Sequence, residues 1–371
     1  MHDTADVVVI GAGVIGLLTA MELAARDASV VVVERDRVGR ASSRAGGGIL
    51  APIPPWQAAA PVDALAAASL PLFPQLAARL AESTGIDVEY RQCGALLVGV
   101  TATAEIAGWA KSRGWSAEEL TAAELSQLEP QLAANWQQSL LLRQVGQLRN
   151  PRLMEALHKH VVERGVTVLE QQPVTGLLQS GSRIEGVTTS DGKIAAAKVV
   201  VAGGAWTSRL LGEHDVAGIT PVRGQMLWYR MRPGDFRRIV IEGDRYLIPR
   251  LDGVCLIGST VEQAGFDAGV TASAGADLAR FAASLSPLFS RLAPAGQWSG
   301  LRPGRHDGIP VICAHPQLTG LYINAGHYRN GINLAPASAR LCAALVTGGT
   351  PRLDPGPYAA HDRLYSGHDW N

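Results

Sequence analysis

Val7-Val8-Val9-Ile10 is a continuous β-branched run with no polar alternation, the pattern of a parallel strand buried on both faces. A glycine-rich turn follows, then a helical stretch from about Val14 to Arg26, then a second apolar run from Val30 to Val33. The spacing predicts one βαβ unit. Arg40 to Pro55 is rich in Gly, Ser and Pro and reads as a loop whose length needs a functional reason. Beyond it, Leu65, Leu72, Leu76 and Leu80 recur at roughly helical spacing, and the Ala-rich patches at 58–68 and 272–283 also read as helix. Asn150-Pro151 predicts a helix start with Asn as cap and Pro in the first turn; Leu153, Met154, Leu157 and Val161 form its apolar face, and Gly165 ends it. His158 and His160 flank Lys159 on this helix and are expected on its solvated face.

Val166–Leu169, Gly186–Thr189 and Val199–Ala202 read as further strands. From Val222 to Thr260 the pattern changes to successive strands separated by turns: Gln225–Met231, Ile239–Ile241, Tyr246–Pro249 and Val254–Ser259. Such a run predicts an antiparallel sheet, hence a second region of different architecture. A glycine-rich segment, Gly326 to Gly331, then opens a helix through Ala335–Val346.

Bulk properties narrow the class. A chain of 371 residues that is 47% hydrophobic fits one large or two interlocked domains. Lys+Arg and Asp+Glu balance at 33 each, so no net field recruits nucleic acid. Cys93, Cys255, Cys313 and Cys342 lie far apart without a CxxC pair, which predicts neither a disulfide framework nor a metal site. The N-terminus has no basic and apolar leader pattern, and no apolar run reaches the roughly 18 residues that span a bilayer. The expectation is a cytoplasmic protein without a membrane span.

Gly11-Ala12-Gly13-Val14-Ile15-Gly16 is a GxGxxG lying between a strand and a helix, the context its mechanics require. Gly11 permits the tight turn, Gly13 lets backbone approach a diphosphate, and Gly16 allows close helix–strand packing. The helix amides and dipole favour the ligand's negative charge. Glu34 ends the second strand, where a carboxylate accepts from a ribose 2′-OH. A βαβ unit alone does not separate NAD from FAD; the long loop Ser42-Ser43-Arg44-Ala45-Gly46-Gly47-Gly48-Ile49-Leu50, where a bulky ligand must lie against backbone, argues for FAD.

At these residues the sequence resembles the D-amino acid oxidase family of FAD-dependent oxidoreductases, and within it the glycine oxidase (ThiO-like) branch. The resemblance continues through Pro173-Val174, Val201-Ala202-Gly203-Gly204-Ala205-Trp206 and Trp298-Ser299-Gly300-Leu301-Arg302-Pro303-Gly304. It ends in Asp307-Gly308-Ile309-Pro310 and Ala325-Gly326-His327-Tyr328-Arg329-Asn330-Gly331-Ile332. It implies an α/β (α+β) fold: a Rossmann-like FAD-binding domain built from discontinuous segments (1–85, 145–220 and 298–371) with an antiparallel-sheet substrate-binding domain (86–144 and 221–297).

The resemblance further implies that Val14, Ile15, Glu34 and Arg35 contact the adenosine-diphosphate half of FAD. Ser42, Ser43, Gly47, Gly48 and Ile49 then follow the diphosphate, ribityl chain and ring, with Val174 beside the adenine. His327, Tyr328, Arg329, Asn330, Gly331, Ile332 and Asn333 wrap the pyrimidine side. Arg302 is placed as the carboxylate clamp, a role its planar fork suits. Tyr246 becomes a second carboxylate contact, and Arg329 lies close to substrate and flavin. His327 is expected to meet the cofactor through its backbone rather than serve as a base.

The implied reaction is oxidation of glycine, sarcosine or a small D-amino acid to the imine and then the 2-oxo acid. Oxygen becomes hydrogen peroxide, the FAD is noncovalent, and the protein is a homo-oligomer (tetramer or dimer). Supply of glycine imine to thiamine thiazole synthesis belongs to the same branch. The rivals are a dehydrogenase on the same fold passing electrons to a quinone or carrier, and a non-catalytic FAD-binding subunit. Asn333, polar where the related pattern is apolar, together with Asp244 and Val261, departs from what glycine oxidases lead one to expect.

Overall fold

The computed structural model describes residues 4–52 and 57–360; the end of the Arg40–Pro55 segment lies outside them. Its first sheet has the order Val311–Ala314, Leu321–Ala325, Gly192–Val201, Thr4–Ile10, Val30–Val33, Thr167–Leu169. Thr4–Ile10 runs parallel to both its neighbours, Gly192–Val201 and Val30–Val33. The β-branched run is continuous because both faces are covered. Val7 and Val9 pack towards the helices Val14–Ala24, Asn150–Glu163 and Gly331–Thr347, while Val8 and Ile10 join Ile184, Val187 and Val199 on the other side.

The second sheet has the order Gly296–Gly304, Thr220–Arg230, Val254–Gly258, Arg245–Pro249, Ile239–Glu242, Ala95–Val98, Ser139–Leu142, Ala117–Leu120. It is mixed rather than antiparallel throughout: Ile239–Glu242 pairs parallel with Ala95–Val98. Two chain segments far apart in sequence join there, and no turn links them to signal their direction. Side chains alternate across Arg245–Pro249: Tyr246 and Ile248 pack on one face, and Leu247 on the face covered by Leu278, Phe281 and Leu285 of the helix Ala272–Leu285. The segment Trp298–Gly304 is the end of an edge strand of this sheet, so Arg302 rests on a paired backbone rather than on a loop.

Three local expectations change. Asn150 does not cap the helix Asn150–Glu163; Arg149 occupies the cap without a side-chain bond, and Asn150 Nδ2 donates instead to Ser43 O at 2.8 Å. His160 is buried on that helix, with Nδ1 2.7 Å from Ser83 Oγ. The glycine-rich loop holds a short helix, Ser42–Ala45, and a strand, Ile49–Leu50, paired with Gly146–Gln147.

One helical stretch, Ala60–Thr84, is long and apolar enough in composition to cross a membrane, which the sequence runs did not suggest. Its Val62, Leu65, Ala66, Phe73, Leu76 and Leu80 pack in the core against the first and last helices.

Candidate functional site

Where the carboxyl ends of Thr4–Ile10 and Val30–Val33 meet the second sheet, a cavity of about 400 Å³ opens. Ligands of open α/β sheets bind at such strand ends. One wall is the turn Gly11–Gly13 and the start of the helix Val14–Ala24. The helix has no acidic residue in its first turn and no side chain from its cap residue Gly13, so its N-terminus remains receptive to an anion. Val14 N donates to Ser43 Oγ at 3.0 Å, which ties the glycine-rich loop to this helix start.

Glycine is required here by contact. Gly11 has φ +106°, and a Cβ on it would stand 2.5 Å from Ala202 O. Gly48 has φ +74°, and a Cβ there would stand 2.2 Å from Leu148 O. The backbone therefore forms the cavity wall with no side chain between, as a cradle for a diphosphate and a flat ring must.

Glu34 holds this turn together as well as facing the cavity. Ala12 N donates to Oε2 at 2.8 Å and Asp36 N to Oε1 at 3.0 Å. Next to it, the Arg35 guanidinium stacks 3.4 Å over the Trp206 ring, whose far neighbour Phe266 carries Arg209 at 3.6 Å. Arg35, Arg209, Arg302 and Arg329 line the cavity, against Glu34 as its one acidic residue among the described residues. The cavity thus suits a ligand bearing diphosphate and carboxylate groups. Asn333 adds a second sign of fit: its side chain is buried at the wall, and neither Oδ1 nor Nδ2 has a partner. The glycine cradle, cationic lining and orphaned amide together fit FAD.

At the opposite end, Arg302 donates through Nη1 to Thr260 O (3.0 Å) and Arg223 O (3.3 Å), and through Nη2 to Ser259 Oγ (2.8 Å). All three acceptors are neutral, and among the described residues no carboxylate lies within ion-pair distance of the guanidinium; the nearby Asp244 pairs with Arg329. Burial pulls its pKa down from the ordinary value, which Tyr246 and Asp244 nearby only partly oppose. The acceptors fix the fork and leave the remaining N–H groups for an anion. A Cβ on Gly224 would lie 2.2 Å from both terminal nitrogens, so glycine is required for Arg302 to lie flat on its neighbouring strand. Tyr246 is buried at the same wall, its hydroxyl 4.0 Å from Met226 Sδ. Arg329 reaches the cavity too, but its guanidinium is engaged: Nη2 donates to Asp244 O at 2.6 Å, and Nη1 lies 3.6 Å from Asp244 Oδ2.

His327 is linked to the dinucleotide helix by a buried chain whose directions are forced from one end. The Ile15 carbonyl only accepts, so Thr19 Oγ1 donates to it at 2.7 Å. Thr19 Oγ1 then accepts from Asn324 Nδ2 (3.1 Å), which turns Asn324 Oδ1 towards the Ser338 hydroxyl (2.8 Å). Ser338 Oγ has only acceptor capacity left for His327 Nε2 at 2.6 Å. The proton therefore sits on Nε2, and Nδ1 is bare. Burial pushes the ring's pKa down from 6.5 to about 3.

The sign of the resulting pH dependence follows. The unfolded residue takes up its proton near 6.5 while the folded one resists to about 3. This contribution to stability is thus complete above the higher value and is lost as pH falls towards the lower. Between about pH 6.5 and 5 the loss is about 2 kcal/mol. Thermal unfolding of wild type should fall more steeply over this interval than that of His327→Asn; equal slopes would show that His327 protonates freely in the folded protein.

The structure brings most of the sequence-nominated residues to this one cavity: Gly11, Gly13, Val14, Ile15, Glu34, Arg35, Ser42, Ser43, Gly47, Gly48, Ile49, Val174, Tyr246, Arg302 and His327–Arg329, with Gly331, Ile332 and Asn333. Gly16 and Asn330 are not on its wall. Gly16 packs against Gly11 O, and Asn330 N closes a turn on His327 O at 2.9 Å. Asp244 and Val261 are also off the wall. Sequence reading missed Arg209, Met226, Asn324 and Ser338; none belongs to a pattern with chemistry of its own, and only the fold brings them here.

Over residues 6–345 the chain matches the family model described as FAD dependent oxidoreductase, DAO. It is 42% identical over 360 residues to a glycine oxidase of Pseudomonas aeruginosa, covering 96% of this chain and 99% of that protein. It is 32% identical to the bifunctional protein ThiO/ThiG of Nostoc sp., a match covering 92% of this chain and 53% of that one. The crystal structure of glycine oxidase from Geobacillus kaustophilus superposes with a TM-score of 0.93 at 30% identity, covering 98% of this chain and 100% of that chain.

Proposed function

Since the chain belongs to the DAO family of FAD-dependent oxidoreductases and to its glycine oxidase-like branch, we propose that it oxidises glycine or a similarly small amino acid, such as sarcosine or a small D-amino acid. The amine is converted to the imine, which water hydrolyses to the 2-oxo acid and ammonia or amine, while O2 is reduced to H2O2. The observation that carries this reading is Arg302, a guanidinium fixed at the cavity by three neutral acceptors, with no carboxylate among the described residues in contact with it.

FAD, when bound, supplies the two-electron chemistry. The chain's own residues grip and orient. Arg302 holds the substrate carboxylate through its free N–H groups, and the Tyr246 hydroxyl lies on the same wall as a further donor. Met226 and Ile49 give this end apolar surface that excludes water. Neither His327 nor Glu34 is disposed to take a proton. The imidazole is neutral with a low pKa, and the carboxylate is occupied by two backbone amides. Rate enhancement then rests on orientation in a dry pocket.

The same reading takes FAD to be noncovalent, because among the described residues no cysteine lines the cavity and the one histidine there, His327, donates to Ser338. It also takes the protein to work in the cytoplasm as a homo-oligomer. The likeness to ThiO/ThiG favours delivery of the imine to thiazole synthesis as one use of the product. The substrate range remains open to change at Asn333, the departure from the branch that reaches the cavity wall.

An anaerobic absorption titration of the yellow protein with glycine, then air, tests the proposal. Bleaching followed by recovery with peroxide is expected. Bleaching that air does not reverse, but a quinone or dye does, would make it a dehydrogenase. No bleaching with glycine, sarcosine or small D-amino acids would sink the substrate assignment.

A further inference from the structure

Arg250 lies behind the glycine-rich loop, and neither the family motifs nor the proposed chemistry uses it. It directly follows the strand Arg245–Pro249 and is 6% exposed. Its guanidinium joins three points: Nη1 donates to Gln147 Oε1 (2.7 Å) and Leu148 O (2.8 Å), and Nη2 donates to Gly47 O (2.8 Å). All are neutral, and among the described residues no carboxylate lies within ion-pair distance of Arg250. The nearby carboxylates are committed elsewhere: Glu89 pairs with Arg149 and Arg152, and Asp252 pairs with Arg149. Burial, reinforced by Arg149 and Arg91, pushes the pKa down to about 10, which leaves the group charged at neutral pH.

A buried cation with neutral partners carries a desolvation penalty that an apolar residue of similar size would not. Its geometry indicates a use. Gly47 and Gly48 line the cavity whereas Arg250 does not, and Leu148 O stands where a Cβ on Gly48 would clash. Arg250 thus ties the Gly47–Ile49 wall to the segment Gln147–Leu148 packed against it. Its charge sits one peptide group from the ligand space, in a region of low dielectric where such a field is weakly screened.

We propose that Arg250 is a positioning residue for the cofactor: it fixes the Gly47–Ile49 wall and places a permanent positive charge behind it that raises the reduction potential of bound FAD. The inference rests on the FAD reading above. Arginine is required for the clamp, since one ammonium cannot span three oxygens as a fork does, whereas any cation can supply the field.

The experiment compares wild type, Arg250→Lys and Arg250→Met in two measurements: FAD titration of the apoprotein, and the reduction potential of the reloaded protein by dye equilibration. Arg250→Lys should bind FAD about tenfold more weakly, the loss of one charge-assisted hydrogen bond, and Arg250→Met, which loses all three, more weakly still. Arg250→Met should have a lower potential than wild type, and Arg250→Lys should stay close to it. A wild-type potential in Arg250→Met overturns the proposal, since a merely structural residue leaves the potential alone. Should Arg250→Met not fold, Arg250→Lys decides: wild-type affinity, or a potential lowered despite the retained charge, overturns it. Wild-type apoprotein that fails to take up FAD would sink the cofactor reading instead, a separate outcome.

Discussion

Replacing Arg302 with alanine is expected to lower kcat/KM for the amino-acid substrate by roughly 30-fold to several thousand-fold while FAD remains bound. The range corresponds to about 2–5 kcal/mol, the usual cost of breaking a buried, hydrogen-bonded charge pair. Most of it arises because the substrate carboxylate would enter a dry pocket without its partner. The folded protein should tolerate the change. Arg302 has no carboxylate of its own to strand, and its truncation leaves three neutral acceptors, of which two are backbone carbonyls. Arg302→Lys should recover only part of the loss, keeping the charge but not the two-pronged geometry. If Arg302 only grips the ground state, KM rises and kcat holds; if the grip also aligns the reacting carbon, both suffer. Steady-state kinetics with the FAD content measured in the same samples decides this. Near-wild-type kcat/KM would remove Arg302 from the substrate site.

Arg302 was nominated from the sequence because its neighbours form a string that resembles the family's, and the structure places it at the cavity. The first βαβ unit was legible by pattern, since a β-branched run, three spaced glycines and Glu34 lie within the 28 residues from Val7 to Glu34. What escaped was set by distant partners. Glu34 was expected to face a ribose, and it lines the cavity, yet both its oxygens also hold backbone amides of the turn. Asn150 had the sequence setting of a helix cap, but the carbonyl of Ser43, 107 positions away, takes its amide. Arg329 and Asp244 pair across 85 positions, which turns a suspected specificity residue into the partner of a nominated catalytic one. The parallel junction between Ala95–Val98 and Ile239–Glu242 has the same origin. Local pattern encodes strands, turns and caps; which side chain satisfies a given carbonyl or guanidinium depends on the assembled sheets.

Gly16→Ala should abolish FAD retention on purification and lower thermal stability, although Gly16 is not on the cavity wall. A Cβ on Gly16 would lie 1.8 Å from Gly11 O and 3.0 Å from Gly11 C, distances that no side-chain rotation relieves because the obstacle is backbone. Gly11 cannot retreat. Its N–H donates to Val33 O at 2.8 Å, and Ala202 O, directly after the strand Gly192–Val201, crowds its other side. Relief must therefore come from the helix Val14–Ala24 moving outward by about an ångström, taking with it the amides that face the diphosphate. Overpacking of this kind costs about 1–3 kcal/mol and sometimes more, and here the cofactor site bears the displacement directly. Gly108→Ala is the matched control: it lies within the helix Thr103–Ser112 with nothing near its Cβ position. It should keep FAD and gain roughly 0.5–1 kcal/mol from the lower conformational freedom of alanine. Apoprotein titration with FAD and thermal unfolding of both variants make the comparison. Wild-type FAD affinity in Gly16→Ala would mean that the helix start can shift without disturbing the diphosphate cradle, and that the third glycine of the motif serves packing alone.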